Sequence, residues 1–194
     1  MNLIFATNNR HKIEEIKAIL PENFRISGLQ EAGIVEEIPE TQDTLEGNAI
    51  EKARYIFEKY SLPCFADDTG LEVRALNNKP GVFSARYAGD NGDSKKNIMK
   101  LLTELENTED RIARFKTVIA YINDRKILTF EGVIEGTITY QEKGAKGFGY
   151  DPVFMPVGFN KTFAEMALRE KNKISHRSLA LKRFIHYLNT GAEI

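Results

Sequence analysis

At 194 residues, 42% hydrophobic and 28% charged, the chain has an ordinary globular composition and enough length for a full core, so residues 1–194 read as a single domain. Twenty-seven basic side chains nearly cancel 28 acidic ones, and the formal charge of −1 argues against a long electrostatic track for nucleic acid or an anionic membrane, while leaving room for a local basic pocket. The lone cysteine, Cys64, cannot form an internal disulfide, Lys12, Glu14 and Glu15 interrupt the apolar N-terminus, and no apolar run approaches the ~18 residues of a membrane span, so a cytoplasmic protein is expected.

In chain order, Leu3 to Ala6 reads as a short buried strand, and Ile13, Ile16, Ile19 and Leu20 then recur at helical spacing. Thr7, Asn8 and Asn9 between them supply N-cap chemistry. Leu45, Ala49, Ile50, Ala53, Ile56, Phe57 and Tyr60 set out a longer amphipathic helix ending before Pro63. It feeds a strand that closes on Asp67 and Asp68, followed by a Thr-Gly turn. NNKPG (Asn77 to Gly81) and GDNGD (Gly89 to Asp93) read as loops, and Ile98, Leu101, Leu102 and Leu105 mark a third helix. Ala113 to Ile122 and Lys126 to Tyr140 are rich in β-branched and aromatic residues, with Asn123 and Asp124 as the hairpin turn between them. A glycine-rich loop, KGAKGFGYDP, precedes a last helix whose buried stripe is Leu181, Phe184, Ile185 and Leu188. This mixture of helices and strands points to an α/β protein with a mixed sheet.

Four polar clusters carry candidate chemistry, each with a plainer alternative. TNNRHK (Thr7 to Lys12) lies between a strand and a helix, where free N–H groups and the helix dipole attract phosphate, or where a cap simply meets water. Asn48 and Lys52, four residues apart, fall together along one edge of the apolar stripe; Lys52 either snorkels to solvent or adds a second cation to the site, with Glu40 nearby as an acid. Asp67 and Asp68, if both extended, point to opposite faces, so one of them faces a Mg²⁺ site at the strand's carboxyl end, or the pair caps a turn. Gly147 and Gly149 around Phe148 allow close backbone approach to a flat ligand with the ring free to stack, although Phe148 equally suits a core anchor. Ser175 is the expected N-cap of the last helix, and His176 and Arg177 just after it oppose the helix dipole while offering donors to a carbonyl or phosphate.

Read in order, T-x-N-x-x-K at Thr7, Asn9 and Lys12, then Glu40, Asn48-Ala49 with Lys52-Ala53, ADDTGLEV, PGVFSARYAG, GFGYDPVF and ISHR closely resemble the inosine triphosphate pyrophosphatase family over essentially the whole chain. Thr69 stands where many members carry serine, so a hydroxyl survives. The resemblance implies a mixed elongated α/β sheet flanked by helices, in two lobes around a central nucleotide cleft, usually as a homodimer. It also implies Mg²⁺-dependent hydrolysis of ITP, dITP and XTP to the monophosphate and pyrophosphate. Carried onto this chain, Asp68 is the catalytic carboxylate, with Glu40 and Asp68 as metal ligands. Thr7, Asn8, Asn9, Arg10, His11, Lys12, Asn48, Lys52 and Thr69 form the phosphate end, while Phe148, Gly149, Tyr150, Asp151, Lys171, His176 and Arg177 hold the purine. The alternatives are a related diphosphatase acting on modified pyrimidines or on triphosphates broadly, and a Mg²⁺–nucleotide-binding module without turnover.

Overall fold

The computed structural model describes residues 2–89, 92–124 and 126–192, so Asp90 and Asn91 of the expected GDNGD loop lie outside the described residues. The chain begins with β1 (Asn2–Phe5), α1 (Arg10–Lys17) and β2 (Arg25–Gly28), and β1 and β2 pair in parallel with Leu3 beside Ile26. Next, α2 (Leu45–Tyr60) leads into β3 (Cys64–Val73), parallel to β1, where Phe5 and Phe65 are register partners and their rings stack at 4.5 Å. The short β4 (Lys79–Pro80) runs antiparallel to β3, and α3 (Ser94–Glu104), β5 (Ile112–Asn123) and β6 (Lys126–Ile138) follow. β7 (Phe154–Pro156), antiparallel to β6, precedes α4 (Leu168–Ile174) and α5 (His176–Thr190). The strand order β2-β1-β3-β5-β6-β7, with β4 on β3, makes the mixed sheet that the sequence led us to expect.

Local chemistry accounts for these elements. Thr44 caps α2 by accepting the Gly47 N–H at 3.0 Å, and Ser61, left-handed at φ 53°, ends it ahead of Pro63. Asp93 caps α3, accepting from Lys95 and Lys96. In α1 the apolar spacing outlasts the helix, which stops at Lys17, so Ile19 and Leu20 pack from the turn beyond it.

Two compact units divide the chain. The first comprises Met1–Asp68, Thr117–Gly132 and Arg177–Ile194; its core gathers Leu3, Phe5, Ile16, Phe65, Ile119, Leu181 and Phe184, with Phe184 5.2 Å from Phe65 and 5.1 Å from Tyr121. The second comprises Thr69–Lys116 and Val133–His176, built around Leu71, Leu101, Phe115, Val153, Phe154 and Phe163.

Two expectations are corrected and one is extended. The Thr-Gly turn after the acids does not form: β3 runs unbroken through Asp67, Asp68, Thr69 and Gly70, so the acids sit mid-strand and not at its carboxyl end. Fully buried Phe65 on one side and Leu71 and Val73 on the other hold the backbone extended against the weak strand preference of Asp and Gly. Secondly, β4 falls inside the expected NNKPG loop, and β2, β7 and α4 have no counterpart in the sequence reading. Ser175 directly precedes α5, at the expected N-cap position, and, extended at φ −65° and ψ 150°, it also ends α4.

Candidate active site

Within the first unit, β3 sends its two acids to different partners, as alternation along an extended strand requires. Asp68 receives the Asn48 side-chain amide on Oδ2 at 3.2 Å and the Lys52 ammonium on Oδ1 at 3.2 Å. The same Lys52 Nζ lies 2.6 Å from Glu40 Oε1. The i,i+4 pair on α2 thus converges on one carboxylate, and Lys52 does not snorkel: it is buried between two acids that compensate its charge. Burial works to lower the Lys52 pKa, but Asp68 and Glu40 outweigh it and the net shift is upward.

Glu40 itself sits outside any helix or strand, and α2 fixes the residues that follow it. Glu51 accepts the Thr41 N–H at 2.8 Å and the Thr41 hydroxyl at 2.7 Å, while Asn48 Oδ1 accepts the Gln42 N–H at 2.9 Å. Asn48 therefore holds the Glu40 segment with its oxygen and Asp68 with its nitrogen.

Asp67 faces the other set. Its Oδ1 lies 2.8 Å from Lys12 Nζ and its Oδ2 3.3 Å from Arg177 Nε, and Arg177 Nη1 makes a very short contact with Glu15. Burial would raise the Asp67 pKa, but Lys12 and Arg177 prevail and hold it well below the usual carboxylate value. Asp68 goes the opposite way: burial lifts it above the usual value against the pull of Lys52 and Lys12. Adjacent acids are thereby set apart, one firmly ionised and one readier to carry a proton.

The β1–α1 junction has the expected cap, with Asn9 accepting the Lys12 N–H at 3.2 Å and the Asn9 N–H donating to Thr7 Oγ1 at 3.2 Å. Asn8, Asn9, Arg10 and His11 are exposed there, whereas Lys12 turns inward to Asp67.

Within the second unit, Asp151 organises the glycine-rich loop. Its Oδ2 takes the Phe148 N–H at 2.9 Å and the Lys171 ammonium at 2.6 Å, in a pair that is almost wholly buried. A Cβ on Gly147, whose φ is +73°, would fall 2.0 Å from that oxygen, so close approach to Asp151 explains this glycine without a ligand. Lys171 Nζ sits 5.2 Å from the half-buried Phe148 ring and 5.3 Å from Phe163, and His176 stacks on Phe115 at 4.6 Å and 17°. The Tyr150 side chain is a core member whose hydroxyl donates to the Ser84 carbonyl at 2.9 Å, which leaves only its backbone to the loop surface. Gly149 adopts φ +60°, and Thr69, next after Asp68, is half-buried.

The expected residues therefore fall into two groups: Lys12, Glu40, Asn48, Lys52 and Asp68 in the first unit, and Phe148, Asp151, Lys171 and His176 in the second. Arg177, expected with the purine group, is committed to Asp67 and Glu15 in the first unit, because two carboxylates compensate its buried charge there. Glu15 and Glu51 were not anticipated; the only sequence signal for Glu15 was its i,i+3 spacing from Lys12.

Glu40 and Asp68, facing one ammonium, define a position that suits a cation. Among the described residues no group of three or more His, Cys, Asp or Glu could hold a metal. Two carboxylates fit Mg²⁺ nonetheless, since that ion completes its shell with water and substrate phosphates.

The Ham1 family model matches residues 3–187. A dITP/XTP pyrophosphatase of Porphyromonas gingivalis is 54% identical, over 96% of this chain and 96% of that protein, and one of Flavobacterium johnsoniae is 52% identical over 97% and 98%. Among solved structures, the Staphylococcus aureus Ham1 protein superposes with a TM-score of 0.89 at 38% identity, covering 99% of this chain and all of that one. A HAM1 protein from Coxiella burnetii gives 0.88, also at 38%, covering 97% and 98%.

Proposed function

The chain belongs to the Ham1 family, and we propose that it hydrolyses deaminated purine nucleoside triphosphates (ITP, dITP and XTP) between the α- and β-phosphates, releasing the monophosphate and pyrophosphate. Kinship with dITP/XTP pyrophosphatases gives the substrate class. The observation that carries the chemistry is the convergence of the exposed Glu40 and the buried Asp68 on the Lys52 ammonium, with Asn48 holding the second Asp68 oxygen.

Attack of water on an anionic phosphorus needs charge neutralisation and an oriented nucleophile. Mg²⁺ held by Glu40 and Asp68 would supply a Lewis acid for the phosphate oxygens. Lys52 and Lys12 add cationic charge, and the β1–α1 junction from Thr7 to His11, with the Thr69 hydroxyl, offers donors to the phosphate chain. Asp68 accepts the proton of the attacking water; its upward-shifted pKa makes it a stronger base than an exposed aspartate, whereas Asp67, held ionised by two cations, serves as an anchor. In the second unit the Phe148 face is the platform for the purine, and the Lys171–Asp151 pair keeps its loop in place.

The test is a nucleotide panel assayed with and without Mg²⁺, with the leaving group identified. Turnover of dITP and XTP well above dATP and dGTP, dependent on Mg²⁺ and releasing pyrophosphate, supports the reading; release of orthophosphate, or equal rates on all nucleotides, overturns it.

A further inference from the structure

The buried acid of α1, Glu15, enters no step of the chemistry above, yet it belongs to a closed circuit. Lys12 and Glu15 lie one helical turn apart and so share a face of α1. Lys12 reaches Asp67 Oδ1, Arg177 reaches Asp67 Oδ2, and Arg177 returns to Glu15. The result is a ring of alternating charge, Lys12–Asp67–Arg177–Glu15, closed by the helix backbone and tying α1 to β3. Glu15, Asp67 and Arg177 are buried, at 5%, 1% and 1% exposure, while the Lys12 side chain keeps 14%. Lys12 is thus the member through which the ring meets solvent or ligand.

Stability is a poor reason for such a ring. Buried ion pairs recover little more than their desolvation cost, and apolar replacements of similar volume are often as stable. An acid in the last turns of α1 also opposes the helix dipole. What the ring does provide is position, because each Asp67 oxygen has a different cation and the carboxylate is held between them. Neutralising Glu15 leaves more of the guanidinium charge to be answered by Asp67, which draws that carboxylate toward Arg177 and away from Lys12.

We propose that Glu15 is a positioning residue for phosphate binding: through Arg177 and Asp67 it fixes the Lys12 ammonium where the triphosphate of the substrate is gripped. This rests on the assignment of Lys12 to the phosphate end, and the experiment separates the two ideas. Inorganic tripolyphosphate is titrated calorimetrically into wild type, Lys12→Met, Glu15→Gln and the double variant. Lys12→Met is expected to weaken binding ~10–100-fold, as loss of a charged hydrogen-bond donor implies. Glu15→Gln should weaken it ~5–10-fold, and the double variant should match Lys12→Met to within ~2-fold, because Glu15 acts only through Lys12. With dITP, Glu15→Gln should raise KM by a similar factor and leave kcat within ~2-fold, the mark of lost ground-state binding.

Unchanged tripolyphosphate affinity in Glu15→Gln overturns the proposal, as does a double variant in which the two losses multiply. Should Glu15→Gln not fold, Glu15→Asp, which keeps the charge at shorter reach, takes its place under the same criteria. Failure of the wild type to hydrolyse dITP would sink the function proposed above, while the tripolyphosphate cycle still reads the ring without turnover.

Discussion

In the first unit three cations, Lys12, Lys52 and Arg177, answer four carboxylates, Glu15, Glu40, Asp67 and Asp68, in two linked clusters. In the second, the buried Lys171–Asp151 pair lies among aromatic rings, with Phe148 and Phe163 both close to the ammonium. Dense, cross-linked charge suits a polyanion whose own charge changes during reaction, whereas an ion pair beside aromatic faces suits a flat, neutral group. The proposed function reads this contrast as a division of labour written in side-chain type, and that reading can be broken at either end.

The largest effect is expected at Asp68. Asp68→Asn should lower kcat on dITP ~10³-fold, in the range of a lost general base; the amide oxygen can accept from only one of the two donors, Asn48 and Lys52, so a lower thermal midpoint accompanies the loss, and circular dichroism at the assay temperature checks that the fold is kept. A variant with near-normal turnover would remove the chemistry from the first unit. Next comes Lys171→Met, which strands the buried Asp151 carboxylate. Urea denaturation should show a loss of ~3–5 kcal/mol, as for a buried pair broken on one side, and a loss under ~1 kcal/mol would mean that the pair is not what orders the loop.

Phe148→Leu sharpens the comparison. Loss of a stacking platform should raise KM for dITP ~10-fold yet leave inorganic tripolyphosphate binding unchanged, since stacking touches only the base. Weakening of both would blur the two roles. The smallest effect concerns Cys64, at the head of β3 in the charged unit. Burial pushes its thiol up to about 12. An acid so shifted stays protonated well above neutrality, so iodoacetamide at pH 8 should leave the native thiol unmodified and react once the chain is unfolded. Rapid native labelling would show that burial does not keep the Cys64 thiol protonated and out of reach.

Much of this architecture was legible in the sequence, for identifiable reasons. α2 is long and amphipathic with a capping threonine, so its bounds follow from periodicity, and the β-branched runs of β5 and β6 leave little room for another reading. β2 is a four-residue strand, RISG, too short to show alternation, and α4 is a seven-residue, largely polar helix. Continuation of β3 through Asp-Asp-Thr-Gly was hidden because intrinsic preference points to a turn and only tertiary burial overrides it. In the candidate site, motif spacing grouped Asn48 with Lys52 because i,i+4 neighbours share a face of any helix. The destination of Lys52 depends on acids supplied from a loop and a strand, and no local pattern reports that. Arg177 illustrates the same limit: its position at a helix start suggested an outward donor, but Glu15 and Asp67, remote in sequence, claim it.

One feature of the chain's path has a practical outcome. The division between the units falls inside β3, β5 and β6 and at the first residues of α5, so neither unit is a continuous stretch of polypeptide and no linker joins them. A protease finds no hinge segment whose cleavage would free an intact half, and recombination between relatives cannot exchange one unit without severing strands. Under the proposed function, phosphate and base recognition therefore cannot be exchanged between relatives as separate blocks of sequence.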